Sequence, residues 1–474
     1  MEICRLSKKR KSVLKEISVN KILSIFLFSI IIYGCSLDTK SGLWTKTQKI
    51  TKEEVSKKKI KQLFKEERVS EKEFNPTLKI RLISNPQNNS FINNFDNNNG
   101  RINYAGELKK ISKFRFSKID NFNQFEPNII FHKEDIIFFD NKGSILKFDK
   151  FSKLIWKKNF YNKREKKLKP ILSFGNNSKI LIVADSIAKY YALDINTGEL
   201  LWSKNNTAPF NSQIKVDKDK FFVVDFDNVL KSFSLKDGNE VWKIKTDKSL
   251  IRSQKKNSLV VVDGKVYFTN SIGDITGVDI ESGNLIWQTP TQRSTLYEDL
   301  FFLKNSDIIF SRNTLIFSNN KNELFSFDVR SGLLNWKQKI NSSLRSTLID
   351  DYIFTVTMEG FLVVTNYKNG NIIRITDLFK KYRKKISKKK KKNKLNPIGF
   401  IMGKKNKNDI IPVGFIVGIN DIYLTTNKGR LLIIDISSGK TKSSIKIDNA
   451  QISRPFILNQ NLYIVKDNGI VKIN

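Results

Sequence analysis

From about residue 105 to the end of the chain, short apolar runs alternate with polar turns. Ile180–Val183, Leu259–Val262 and Lys265–Phe268 are examples, and runs of this length between turn residues predict strands. The runs come in sets that close on one signature. Tyr191–Trp202 contains Ala192, Asp194, Gly198 and Trp202; Gly277–Trp287 repeats it with Asp279, Gly283 and Trp287, and Phe325–Trp336 with Asp328, Gly332 and Trp336. Ser232–Trp242 is a variant with Ser234 and Gly238, and Ile145–Trp156 is one residue shorter in its turn. Two further copies, ending at Gly370 and Gly439, keep the turn without the tryptophan.

Each part of the signature has a physical role. The leading carboxylate or its substitute bonds backbone N–H groups two residues on and starts the turn. The glycine supplies a positive φ. The tryptophan, on the strand that follows, fills the gap to a neighbouring unit. The tryptophans Trp156, Trp202, Trp242, Trp287 and Trp336 are spaced by 46, 40, 45 and 49 residues. Four strands per period of this length predict a β-propeller blade. Seven turn signatures are visible. The segments Pro455–Leu458, Leu462–Val465 and Gly469–Ile473 supply three strands of an eighth blade, whose fourth is expected from Lys109–Ile119. The expected fold is therefore all-β, an eight-bladed β-propeller over residues 105–474, closed by N- and C-terminal strands sharing a blade.

The N-terminus reads differently. Seven basic residues from Arg5 to Lys21 precede an apolar run, Ile22–Tyr33, too short to span a bilayer comfortably but suited to an export signal. It stops at Gly34-Cys35, and Ile32-Tyr33-Gly34-Cys35 resembles a lipobox, which implies a signal peptide over 1–34 and lipidation at Cys35. An ordinary signal anchor with an incidental cysteine is the alternative. Ser36, where an inner-membrane retention signal would have Asp, favours the outer membrane. Residues 35–104 read as a lipidated tether, largely flexible, with an Asn-rich linker at 88–100.

Composition narrows the function classes. Hydrophobic residues at 39% and aromatics at 11% suffice for a core. The net charge of +39 points to anionic partner surfaces, although the excess of Lys, Asn, Ile and Phe also matches an AT-rich codon bias. His132 is the single histidine, so multi-histidine metal sites are excluded. Only Cys4 and Cys35 are present, and loss of the signal would leave no pair for a disulfide. Ser438-Gly439-Lys440-Thr441 ends like a phosphate-binding loop but has Ile434 where the first glycine is required. A Lys-rich insertion at about 380–408 includes eleven basic side chains among the fifteen residues from Lys380 to Lys394, and self-repulsion predicts a loop that rests on anionic lipid, on an acidic partner or in solvent.

The complete pattern at Ala192–Trp202 resembles the repeats of pyrroloquinoline-quinone-type propellers. Preceded by a lipobox, eight such blades resemble the BamB family of outer-membrane assembly factors. The resemblance implies a non-catalytic scaffold without cofactor, lipid-anchored at the outer membrane on its periplasmic face. Its implied partners are BamA, through a POTRA domain, with the rest of the Bam complex, and unfolded outer-membrane proteins. The family's Leu-x-Leu-Arg docking segment falls here on Ser249–Arg252, so Leu250, Ile251 and Arg252 are the implied partner-binding residues. The family's acidic pair in the next connection falls on Leu303 and Asn305, with Asp307 nearby. Quinone-dependent dehydrogenases share the repeat and form the alternative, though the adjacent-cysteine disulfide of the larger ones has no counterpart. An envelope propeller binding another protein or a glycan is the third class.

Overall fold

The computed structural model describes residues 35–37, 44–46, 72–86, 100–120, 122–247, 255–292, 303–382 and 410–474. The chain divides into two compact units, 1–67 and 68–474. In the first, Cys35–Leu37 pairs antiparallel with Trp44–Lys46. The second holds eight four-stranded antiparallel sheets, arranged as an eight-bladed β-propeller.

Blades 1 to 7 run in chain order at 130–158, 172–205, 215–245, 259–289, 309–338, 347–377 and 412–446. Blade 8 combines Pro455–Leu458, Asn461–Lys466 and Gly469–Ile473 with Lys110–Arg115 as its outermost strand. Lys109 N donates to Asn474 O at 2.7 Å and Asn474 N to Lys109 O at 3.0 Å, so the two ends of the propeller close one sheet. The first strand of each blade is innermost: Lys215–Asp217 touches both Leu172–Asn176 and Leu259–Val262. Inner strands are mostly buried, as in Ile180–Asp185 and Lys189–Asp194, whereas the outermost strands alternate exposed and covered positions, as in Leu200–Asn205.

The repeat signature joins neighbouring blades. In blade 2 the Asp194 carboxylate accepts from the N–H groups of Asn196 and Thr197, and Gly198 N closes the turn on Asp194 O at 2.8 Å. In blade 1, Ser152 takes the left-handed place that glycine fills elsewhere, at φ 73°. The turn glycines of blades 2 to 6 lie under the tryptophan of the preceding blade. A Cβ on Gly332 would stand 2.5 Å from Trp287 Cδ2, and one on Gly283 2.7 Å from Trp242 Cδ2. Gly198 and Gly238 meet Trp156 and Trp202 in the same way, and Gly370 meets Trp336. The indole N–H then donates to the backbone carbonyl that follows the turn's first residue. Trp202 bonds Leu235 O at 2.9 Å, Trp242 Ile280 O at 3.0 Å, Trp287 Val329 O at 3.0 Å and Trp336 Tyr367 O at 2.9 Å.

Between blades 6 and 7 the tryptophan is replaced by Arg374. Its Nη2 donates to Ile436 O at 2.9 Å, the equivalent carbonyl, and its guanidinium sits over Gly439. Nη1 adds two acceptors, Ser437 O and Leu78 O, the latter at 3.0 Å. Burial pushes this guanidinium down to about 10, against the opposing pull of Asp435, and it remains charged at neutral pH.

Leu78 belongs to a segment read from the sequence as part of a flexible tether. Residues 72–86 and 100–104 are instead held on the propeller. Phe74 exchanges two backbone hydrogen bonds with Ile375 on the outermost strand of blade 6, at 3.1 and 2.9 Å. Ile80 is buried among Leu344, Ile349 and Phe354, and Ile80 N donates to Ser437 O at 3.0 Å. Further on, Ile102 N donates to Val417 O, and Tyr104 packs edge-to-face on Tyr423 at 4.9 Å.

Two tests follow from these contacts. Trp287→Ala is expected to lower unfolding free energy by roughly 2–4 kcal/mol, and Gly332→Ala by about 1 kcal/mol or more through its positive φ and the contact with the ring. Because the two residues touch, denaturant titration of the double variant will show less than the sum. Arg374→Met leaves three carbonyls without their donor and is expected to cost about 2–4 kcal/mol. The same variant will open residues 72–86 to limited proteolysis at a protease dose that spares the wild type.

Candidate docking face and central channel

Antiparallel order within a blade puts the signature turns at one end of the propeller. The inter-blade connections and the turns between second and third strands lie at the other, called here the entry face. Leu250, Ile251 and Arg252 lie outside the described residues. Their connection leaves blade 3 at Asp247 and re-enters as Lys255, so its described ends stand at the entry face. The Lys-rich insertion from 383 onward also lies outside them. At its start Lys380 pairs with Glu73 at 2.6 Å, and Tyr382 donates to Ser444 Oγ at 2.9 Å.

The acidic half of the implied site is arranged differently from the family pattern. Leu303 is buried, with its side chain against Gly273, and Asn305 forms a β-bridge with Asn319. Asp307 is buried in the channel, 3.5 Å from Arg454 Nη1 and 3.9 Å from Arg345 Nη1. Burial pushes its carboxyl up, but Arg345, Arg454, Lys255 and Lys215 together pull it below the ordinary carboxylate range. Asp307 is therefore engaged inside the ring by cations of other blades.

Beside Lys255 the entry face opens into a cavity of about 430 Å³, lined in part by Phe125, Phe210, Lys255, Lys256, Lys304 and Met358. Two adjacent lysines at the entry to blade 4 reach in different directions. Lys255 Nζ donates to Ser343 O of the blade 6 connection at 2.5 Å and pairs with Glu126 at 3.4 Å. Lys256 Nζ donates to Ser173 Oγ of blade 2 at 2.5 Å. Arg454, entering blade 8, also bonds Asn128 Oδ1 beside blade 1 at 2.9 Å. Sequence reasoning missed these residues. A usable signal was position: Lys255, Lys256, Arg345 and Arg454 each fall within the last few residues before an innermost strand, where a side chain meets the channel.

The single histidine is structural. His132 Nε2 faces Ser178 O at 3.2 Å, so it donates there, and Nδ1 accepts from Lys147 Nζ at 3.4 Å. Lys147 also bonds Asp135 at 3.1 Å and Ile195 O at 3.2 Å. Ile195 O is the carbonyl a blade 1 tryptophan would take, and Trp156 Nε1 makes no hydrogen bond among the described residues. Among the described residues no three of His, Cys, Asp and Glu gather into a metal-sized cluster.

Comparison with known proteins agrees with this architecture. The family model described as outer membrane protein assembly factor BamB matches residues 141–376, just under half of the chain. Outer membrane protein assembly factor BamB of Moranella endobia (strain PCIT) is 21% identical over 203 residues, which span 42% of this chain and 51% of that protein. The chain thus aligns with about half the length of that curated relative. Among solved structures, BamB from Moraxella catarrhalis superposes with a TM-score of 0.58 at 15% identity, covering 77% of this chain and 99% of that one. The computationally designed Ika8 protein gives 0.54 at 12% identity, covering 76% and 99%. The C-terminal WD40 domain of Sif2 also gives 0.54 at 12%, covering 78% and 99%.

All three, at 15% identity or less, show the fold alone, so shape defines the class: an eight-bladed propeller. Within that class the repeats and the sequence matches support similarity to BamB, over 141–376 for the family model and 203 residues for the curated relative.

The His132 site has a pH signature. Burial, then Lys147, holds the imidazole below its ordinary value, with Lys133 adding to the shift and the Ser178 carbonyl and Asp135 opposing it. The unfolded chain therefore binds this proton more readily, and the stability contribution is present above about pH 6.5 and lost as pH falls below it. Thermal midpoints from pH 7.5 down to 5 are expected to fall more steeply for the wild type than for His132→Gln.

Proposed function

We propose that this chain is a non-catalytic scaffold lipoprotein of the outer-membrane β-barrel assembly machinery. In this reading Cys35 carries the lipid, the propeller sits on the periplasmic face of the outer membrane, and the entry face receives a POTRA domain of BamA. The observation that carries it is the BamB family-model match over 141–376, set within an eight-bladed ring closed by its own termini. No cofactor enters the function.

The contact begins with Arg252, pairing with an acidic group of BamA, and with Leu250 and Ile251 supplying apolar area. Because Asp307 is held by Arg345 and Arg454, this chain relies on that basic and apolar half more than on an acidic pair. Unfolded outer-membrane proteins meet the outer strands, where Leu154-Ile155, Leu200-Leu201, Leu285-Ile286 and Leu333-Leu334 are exposed. There extended clients gain apolar contact and backbone hydrogen bonds.

The test is an affinity capture from detergent-solubilised envelopes with tagged wild type beside Arg252→Glu. BamA is expected with the wild type and absent with the variant. Capture by both would place the contact elsewhere on the propeller. Capture by neither would overturn the scaffold role.

A further inference from the structure

The entry-face cavity gathers more positive charge than its acids balance. Among the described residues Lys255, Lys256 and Lys304 line it against one carboxylate, Glu126, and an adjoining smaller pocket that shares Lys255 adds Arg345 and Arg454 around Asp307. The Lys255 side chain is only 9% exposed and that of Arg454 17%, so this is channel lining rather than a solvated surface. Cations drawn from water in excess of carboxylates destabilise a fold unless an anion joins them. The cavity, at about 430 Å³, is of the size that takes small organic ligands.

We propose that the entry-face cavity binds a small polyanion bearing phosphate or carboxylate groups, held by Lys256 and Lys304 with Lys255 beside them. Lys256 is the anchoring residue. Its partner is the neutral Ser173 hydroxyl at 2.5 Å, which leaves its remaining N–H groups for a ligand oxygen. Burial pushes this ammonium down to about 8, and the distant pull of Glu126 does not restore it. An arriving anion favours the charged form, so binding near pH 8 takes up a proton. This site is independent of the scaffold reading: it concerns what occupies the channel mouth, not which protein covers it.

The experiment is calorimetric titration of the full chain at pH 8 and fixed ionic strength, with pyrophosphate and, separately, citrate as probes and chloride as control. Saturable binding of either probe is expected, with a heat that depends on the buffer's ionisation enthalpy because protons are taken up. Lys256→Met is expected to weaken it roughly tenfold or more, the loss typical of one charged hydrogen bond, and to abolish the buffer dependence. Lys304→Gln, an exposed position that leaves folding intact, is expected to weaken it severalfold and carries the test if Lys256→Met does not fold. Heats no different from chloride, or affinity unchanged in the folded variants, would overturn the proposal.

Discussion

The ring depends on one repeated contact, an indole lying on a glycine of the next blade. It couples two requirements that the chain meets in different places. The turn needs a left-handed residue, and the indole needs a surface with no side chain on it. Glycine satisfies both at Gly198, Gly238, Gly283, Gly332 and Gly370. The indole N–H then ties the ring to backbone rather than to a side chain, so the junction tolerates drift elsewhere in the repeat. At the blade 6–7 junction an arginine makes the equivalent bond and gains two donors, and the N-terminal segment is the structure that uses one of them.

The inside of the ring follows a different logic. Propeller blades splay outward, so the innermost strands leave a channel whose walls come from every blade. In this chain charged side chains bridge that space: Asp307 from the blade 5 connection, Arg345 from blade 6, Arg454 from blade 8 and Lys255 from blade 4. Such links join blades far apart in sequence. They make the entry face an electrostatic unit, able to respond as a whole to a partner or ligand at its centre.

The sequence made the fold legible because the signature is local. Asp, Gly and Trp fall within nine residues, and each states its own conformational need, so eight blades and their shared closing strand were readable in advance. The channel was not readable. In a chain with 85 basic residues no single Lys or Arg stands out, and which of them meet is decided by the ring's closure. The segment at 72–86 escaped for another reason: much of its attachment is through backbone hydrogen bonds, which leave no mark in side-chain pattern, and Ile80 alone gives little periodicity. The loss of tryptophan at Arg374 was visible as decay of the motif, but its compensation depends on Leu78, roughly 300 positions earlier.

Blade 8 also sets an order of events. Its outermost strand, Lys110–Arg115, is the first propeller strand to be made, and the strand it pairs with, Gly469–Ile473, is the last of them. Blades 1 to 7 can each form from contiguous sequence as they appear, whereas the ring stays open until Gly469–Ile473 has been made. Through that interval an unpaired strand waits near one end and an unpaired sheet edge forms at the other. A chaperone able to cover either would act on this protein in a narrow window, and a truncation ahead of Gly469 would leave seven sound blades in an arc with no means of closing.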